Sequence, residues 1–313
     1  MAPAISSTVP QSPTIKQLCL PTFQSPIGKF SSNSIQLLFS VIVREYPRAD
    51  QTLGEPLNNS HTPAEAITDD SVIAVFSDIH SNLEALKAVI EDMDACGIEQ
   101  RYCLGDIVGY GANPSQCLEL VRSMRCSIIQ GNHDAAAGTD ISLEMMSPGA
   151  RFGIEFTRKK LSAPQRRFLR GLPVTIVAGD HQFVHASLDE PADWNYVINQ
   201  WEAQLHFSFQ ERSVCFCGHT HVPAIWHQSA KGKIRVAKGT GSLRLPRGGK
   251  ALINVGSVGQ PRDGAAEACY VLFDCKSRRV EFRRVPYDNE TTCRKILRAK
   301  LPPENAERLR AQR

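Results

Sequence analysis

The sequence has no long apolar run where a membrane anchor would need one. The apolar stretch at residues 35–43 falls well short of the ~20 residues that span a bilayer, so no membrane association is expected. No basic n-region leads directly into an apolar core, which argues against a secretory signal. Charge of one sign is also scarce. Thirty-six Lys and Arg face 32 Asp and Glu, a net +4 that gives no strong footprint for nucleic acid or an acidic membrane. Cysteine pairs at zinc-finger spacing are missing. Cys215-Phe216-Cys217 has no second pair to complete a metal site, so both are expected in the core. The ten cysteines are too thinly spread for a secreted disulfide scaffold, and Cys103 and Cys126 also sit in apolar runs. Buried free thiols fit a reducing compartment, and a cytoplasmic location is expected.

Acidic residues are absent before Glu45, and residues 1–70 are rich in Ser, Pro, Thr and Asn. That segment is expected to be a disordered leader, or an extension upstream of the true start, and is set outside the fold. Arginine is too scarce there for a convincing organelle transit peptide. Order is expected from Ser71. Residues 72–76 form a continuous apolar run, as a strand buried on both faces should. Leu83, Leu86, Val89, Ile90 and Met93 then recur at helical spacing behind the N-cap candidate Asn82. Further strands are expected at 102–104 and 126–129, with a helix opened by Pro114 between them. Strand–helix–strand–helix–strand implies right-handed parallel crossovers. Residues 143–171 read as helical, in two segments. After Leu172 the texture changes to short strands with one helix at 198–208, which suggests a second, mixed or antiparallel sheet. Residues 289–313 read as a basic helix with a solvated face. The domain proper is thus 71–288, and no internal repeat is present.

Polar chemistry concentrates at the strand ends. Asp78-Ile79-His80 follows the first strand and Gly105-Asp106 the second. Gly131-Asn132-His133-Asp134 follows the third. His185 ends the strand at 182–184, and Gly218-His219-Thr220-His221 ends that at 214–217. Five of the nine histidines lie in these clusters. On an extended backbone Asp78 and His80 would point to one side, and so would His219 and His221. With His133 and Asp134 set aside, two Asp, one Asn and four His remain. These are too many donors for one tetrahedral ion, and they suit two ions that share a carboxylate. Mixed N and O donors point to manganese, iron, zinc or a similar ion and away from an all-oxygen magnesium or calcium cage. Two divalent ions are expected, manganese first, with iron, zinc, nickel or magnesium as alternatives.

This series resembles the calcineurin-like metallophosphoesterase superfamily across residues 71–285. Gly109-Tyr110-Gly111 and the stretch from Asn254 to Arg262 are similar to its small bacterial and archaeal phosphodiesterase-type branch. The resemblance implies a mixed α/β fold, a four-layer α-β-β-α sandwich with two mixed sheets. It implies one ion held by Asp78, His80, Asp106 and His221. The second would be held by Asp106, Asn132, His185 and His219, with Asp106 bridging. His133 would protonate the leaving group, and Asp134 would hold its ring. Arg262 would grip a substrate phosphate.

The expected reaction is hydrolysis of a small or nucleotide-like phosphoester by a metal-bridged hydroxide, with a diester favoured over a monoester. The stretch after Asp106 reads Val108-Gly109-Tyr110-Gly111, where protein phosphatases and diadenosine-tetraphosphate hydrolases of the superfamily usually carry Asp-Arg-Gly. A phosphomonoesterase or protein phosphatase is the alternative enzyme. A non-catalytic scaffold on the same fold is the alternative of another class. A homo-oligomer is left open, and nucleic acid is disfavoured as a partner.

Overall fold

The apolar run at 72–76 becomes strand β1, Val72–Phe76, in the middle of the first sheet. A computed structural model describes residues 67–124, 126–144 and 146–310. Nearly all of the expected leader at 1–70 lies outside those residues. Helix α1, Leu83–Ala95, follows as its periodicity requires. Asn82 caps it by accepting from the Ala85 N–H, and Ala85, Leu86, Val89 and Met93 form its buried face. Strand β2 is Gln100–Cys103 and β3 is Ser127–Ile128, both parallel to β1 in the order β3-β2-β1. Helix α2, Pro114–Ser123, crosses between them with Pro in its first turn.

Helix α3, Asn132–Gly138, was not expected. The polar cluster itself opens it. Helix α4 is Pro148–Lys160 and α5 is Ala163–Arg170, so the helical stretch begins later than the sequence periodicity suggests. Strands β4 (Thr175–Ala178), β5 (His181–Val184) and β6 (Val214–Cys217) come next, with α6, Gln200–Phe209, before β6. They are followed by β7 (Ala224–Gln228), β8 (Ile234–Lys238), β9 (Ser242–Arg244), β10 (Lys250–Asn254), β11 (Ala268–Asp274) and β12 (Arg279–Val285). The late strands do not all form the second sheet. β11, β12 and β9 extend the first, in the order β3-β2-β1-β11-β12-β9. The second runs β4-β5-β6-β10-β7-β8. Both sheets mix parallel and antiparallel pairs.

Three apolar interfaces make four layers. Ala74 and Phe76 of β1 face the helices, in a core shared with Leu86, Leu118 and Ile154. Ile73 and Val75, the alternate positions, face the second sheet and pack with Phe183, Phe216 and Ile253. Leu252 and Cys215 on the far side of that sheet pack with Phe207 of α6. Tyr102 stacks on Phe183 at 4.1 Å, joining the sheets ring to ring and adding ~0.5–1.5 kcal/mol beyond burial. Cys103, Cys126, Cys215 and Cys217 are buried free thiols.

The basic tail is two helices, α7 (Asn289–Arg298) and α8 (Pro303–Arg310), because Pro302 and Pro303 stop the first. Arg294 and Arg298 are exposed as expected. The opposite faces bury Cys293, Ile296 and Leu309 together. Asn305 of α8 donates to the Tyr110 carbonyl at 3.1 Å and so braces a loop beside the clusters.

Candidate active site

The strand ends deliver their clusters to one place. The loops after β1, β2, β3, β5 and β6 bring together donor atoms within 4.8 Å of one another in three overlapping groups. These are Asp78 with His80 and His221, Asp106 with His185 and His219, and His80 with Asp106 and His133. Asn132 lines the same cavity of about 430 Å³, as do His133, Arg262 and Tyr110.

The pairs do not share a side in the way strand alternation predicts. Asp78, His80, Asp106, His219 and His221 all lie in loops with left-handed backbone, at φ +57°, +48°, +51°, +65° and +61°. Such a backbone costs ~1–2 kcal/mol per L-residue, and Asp and His tolerate it better than most. The turns are fixed by hydrogen bonds between loops. Asp78 N donates to the Gly105 carbonyl and His80 N to that of Asp106. Gly131 is required by close approach, since a Cβ there would sit 2.2 Å from Asp106 Oδ1.

Backbone carbonyls orient three of the rings. His80 Nδ1 lies 3.1 Å from the Val108 carbonyl, His185 Nδ1 2.7 Å from that of Leu104, and His221 Nδ1 2.6 Å from that of Gln260. A carbonyl can only accept, so each Nδ1 carries a proton and each Nε2 is left to face the cluster. His80 Nε2 and His221 Nε2 are then 3.1 Å apart. Two lone pairs at that distance repel unless a positive charge lies between them. Asp78 Oδ1, His185 Nε2, His219 Nε2 and Asn132 Oδ1 are buried with no hydrogen-bond partner in the protein. Buried polar atoms are rarely left so. This donor set fits divalent cations.

Electrostatics agree. Burial alone would raise both carboxyls. The His221 and His185 rings instead hold Asp78 below the usual carboxylate range, and His185, His133 and His80 hold Asp106 well below it. Burial opposes charge on His185, yet Asp106 and Asp78 raise it to about 9. Burial and the neighbouring His185 push His219 down to about 3. The two carboxylates therefore stay ionised and attract positive charge.

Asp134 departs from expectation. Its Oδ1 accepts from the N–H groups of Ile107 and Val108, at 3.0 and 3.3 Å, and its Oδ2 from Gly131 N–H at 3.2 Å. It clamps the backbone of two site loops and does not hold the His133 ring. Burial and the nearby Asp106 carboxylate push its pKa up to about 7 against those amide donors. His133 is positioned instead through its N–H, which donates to Asp106 Oδ1 at 2.8 Å, and by Gly109 packed on its ring. Arg262 reaches Gln260 Oε1 at 3.1 Å and the Tyr110 hydroxyl at 3.5 Å.

Sequence reasoning missed two aromatic residues on the loop between β5 and α6. Tyr196 lies over His219 with ring centres 4.1 Å apart, and Trp194 meets His185 edge-on at 5.8 Å. Two aromatics within a dozen residues after His185 were the available signal. Asn254 opens the stretch that ends at Arg262. Its side chain donates to the Gly218 carbonyl at 2.6 Å and to Thr220 Oγ1 at 3.0 Å, which fixes the loop of His219 and His221.

With this geometry in hand, comparison with known proteins decides the family. Residues 72–278 match the calcineurin-like phosphoesterase superfamily domain. The chain belongs to that superfamily. It is a metal-dependent phosphoester hydrolase of mixed α/β fold. The protein MJ0912 of Methanocaldococcus jannaschii is 40% identical over 243 residues, 76% of this chain and 97% of that protein. A metallophosphoesterase from Sphaerobacter thermophilus is 37% identical. The match covers 78% of this chain and 99% of that one, with a TM-score of 0.68. The protein PH1004 from Pyrococcus horikoshii shares the fold at 22% identity and TM-score 0.63, over 76% of this chain and 97% of that one. No helix among the described residues is long and apolar enough to cross a membrane.

Proposed function

We propose that this phosphoesterase hydrolyses a small phosphodiester of nucleotide-like size at a two-cation centre, with manganese the favoured ion. The observation that carries the reading is the convergence of six buried Asp and His donors on one point, with Asn132 on the adjoining cavity. Asp78, His80 and His221 would hold one cation, and His185, His219 and Asn132 the other. Asp106 would serve both, because its Oδ1 is taken by the His133 N–H while Oδ2 lies 3.7 Å from His80 Nε2 and 3.4 Å from His185 Nε2. When bound, such cations neutralise phosphoryl oxygens and acidify a water.

The chain's own residues supply the rest. His133 buries Nδ1 against Gly109, which leaves Nε2 to meet the leaving oxygen and give it a proton. Arg262 takes a non-bridging phosphoryl oxygen, its plane steadied by Gln260 and Tyr110. Arg262 is the one Lys or Arg among the described residues that line the cavity. A diester brings one negative charge and a monoester close to two, so the sparse cationic lining favours the diester. The buried free thiols of Cys103, Cys126, Cys215 and Cys217 fit a reducing cytoplasm.

The test is a rate comparison on manganese-reconstituted protein using bis-p-nitrophenyl phosphate, p-nitrophenyl phosphate and 2′,3′- and 3′,5′-cyclic nucleotides. Higher kcat/KM on the diesters supports the reading. Preference for p-nitrophenyl phosphate assigns a monoesterase instead.

A further inference from the structure

The cavity beside the donors is far larger than a phosphoryl group requires, at about 430 Å³, and its outer half, the part not lined by the donors, sets apolar side chains beside Ser142, Ser147 and Asp193. Leu143 and Met146 form one wall, extended by Ile141, an isoleucine 55% exposed. The loop after β5 forms another, with Asp193, Trp194 and Tyr196. Tyr196 rests one face on the His219 ring and is 48% exposed, so its other face is open beside the donor cluster. Trp194 is held with left-handed backbone, φ +57° and ψ +39°. A bulky residue rarely adopts that conformation, and such outliers persist where surrounding structure imposes them, often at ligand sites. Its consequence here is geometric. The chain reverses at Trp194, and Tyr196 is turned back over the site.

We propose that this outer half is a subsite for a planar aromatic ring, with Tyr196 as the stacking residue. The ring would be the base of a nucleoside phosphoester. An open aromatic face next to a phosphate-binding centre suits a base because every base has a π-face. The aliphatic side chains of Ile141, Leu143 and Met146 in the same cavity would cover the ring's remaining surface and exclude water. Asp193 at the rim offers a carboxylate that accepts from ribose hydroxyls or an exocyclic amine and repels a second phosphate. A glyceryl or other aliphatic group has no face to offer Tyr196. This inference rests on the proposed phosphoesterase centre and narrows its substrate class.

The test uses manganese-loaded full-length protein and isothermal titration with AMP and glycerol 1-phosphate, which share the phosphoryl group. AMP should bind about ten-fold tighter. Tyr196→Phe should keep that ratio and Tyr196→Ala should abolish it, with metal content measured in each. Ile141→Asp, at an aliphatic lining residue that is not one of the donors, should weaken AMP several-fold and leave glycerol phosphate unchanged. Equal affinity of the wild type for both ligands overturns the subsite, whatever the variants do. Hydrolysis of bis-p-nitrophenyl phosphate is followed in parallel. Turnover with equal affinities sinks the subsite and keeps the phosphodiesterase reading, whereas absence of turnover in metal-loaded protein sinks that reading.

Discussion

Asp78 Oδ2 accepts a hydrogen bond of 2.9 Å from the backbone N–H of His219, across 141 residues of chain. Asp78 follows β1 in the first sheet and His219 follows β6 in the second, so one carboxylate ties the two sheets at the centre of the site. Its other oxygen, Oδ1, lies 3.3 Å from His221 Nε2 and has no hydrogen-bond partner in the protein. One oxygen thus serves the fold and the other faces the donors. Asp78→Asn keeps an acceptor for His219 and loses the charge. It should leave the urea unfolding of metal-free protein within ~1 kcal/mol of wild type while lowering metal content. Asp78→Ala removes both roles and should also destabilise by ~1–3 kcal/mol. Equal unfolding free energies for the two variants would contradict this division.

Asp106 and His133 should separate in the same way. Asp106→Asn weakens the shared carboxylate and should lower both metal content and turnover. His133→Ala should keep the wild-type metal content and lose ~10²–10⁴ in rate. Parallel metal analysis and kinetics check both, and equal metal loss in the two variants would refute the roles.

Gly109 supports His133 by having no side chain. Its φ is +97°, and a Cβ there would lie 2.2 Å from His133 Nδ1. Gly109→Ala should destabilise by at least ~1 kcal/mol. It should also lower the rate toward that of His133→Ala with metal content preserved. An unchanged rate would show that the ring's position is not critical.

His206 gives a pH dependence away from the donors. It is fully buried on α6, its Nδ1 accepts from the Leu188 N–H at 3.2 Å, and burial lowers its pKa to about 3. Above pH 6.5 it is neutral in both folded and unfolded chains. Below that, the unfolded chain binds a proton that the folded one refuses, so stability falls from pH 6.5 toward 3. The loss is ~2 kcal/mol by pH 5. His206→Gln should flatten that part of the curve in urea titrations between pH 7 and 5, compared with wild type. Identical slopes would contradict the assignment.

Much of the site was legible because its donors are chemically specific residues at strand ends. Asp78, His80, Asp106, His185, His219 and His221 come together in overlapping groups, and Asp106, Asn132, His133, His219, His221 and Arg262 line the cavity beside them. The backbone that brings them there was not legible. Strand alternation suggested paired donors, whereas the protein uses left-handed turns fixed by bonds between distant loops. Asp134 was misread for a related reason, as its partners are amides at residues 107 and 108, remote in sequence. The number of sheets could be read from strand texture. Which sheet β11, β12 and β9 join could not, because that depends on tertiary pairing with β1. Tyr196 was passed over because its only signal, a second aromatic at Trp194 shortly after His185, has no periodicity and no polar chemistry to mark it.

The central claim is that these seven side chains seat a pair of cations. Anomalous diffraction at the manganese edge from crystals of the reconstituted protein tests it directly. Two peaks ~3.5–4 Å apart, both within coordination distance of Asp106, are the predicted result. A single peak, or peaks away from Asp78, Asp106 and the four histidines, would contradict it.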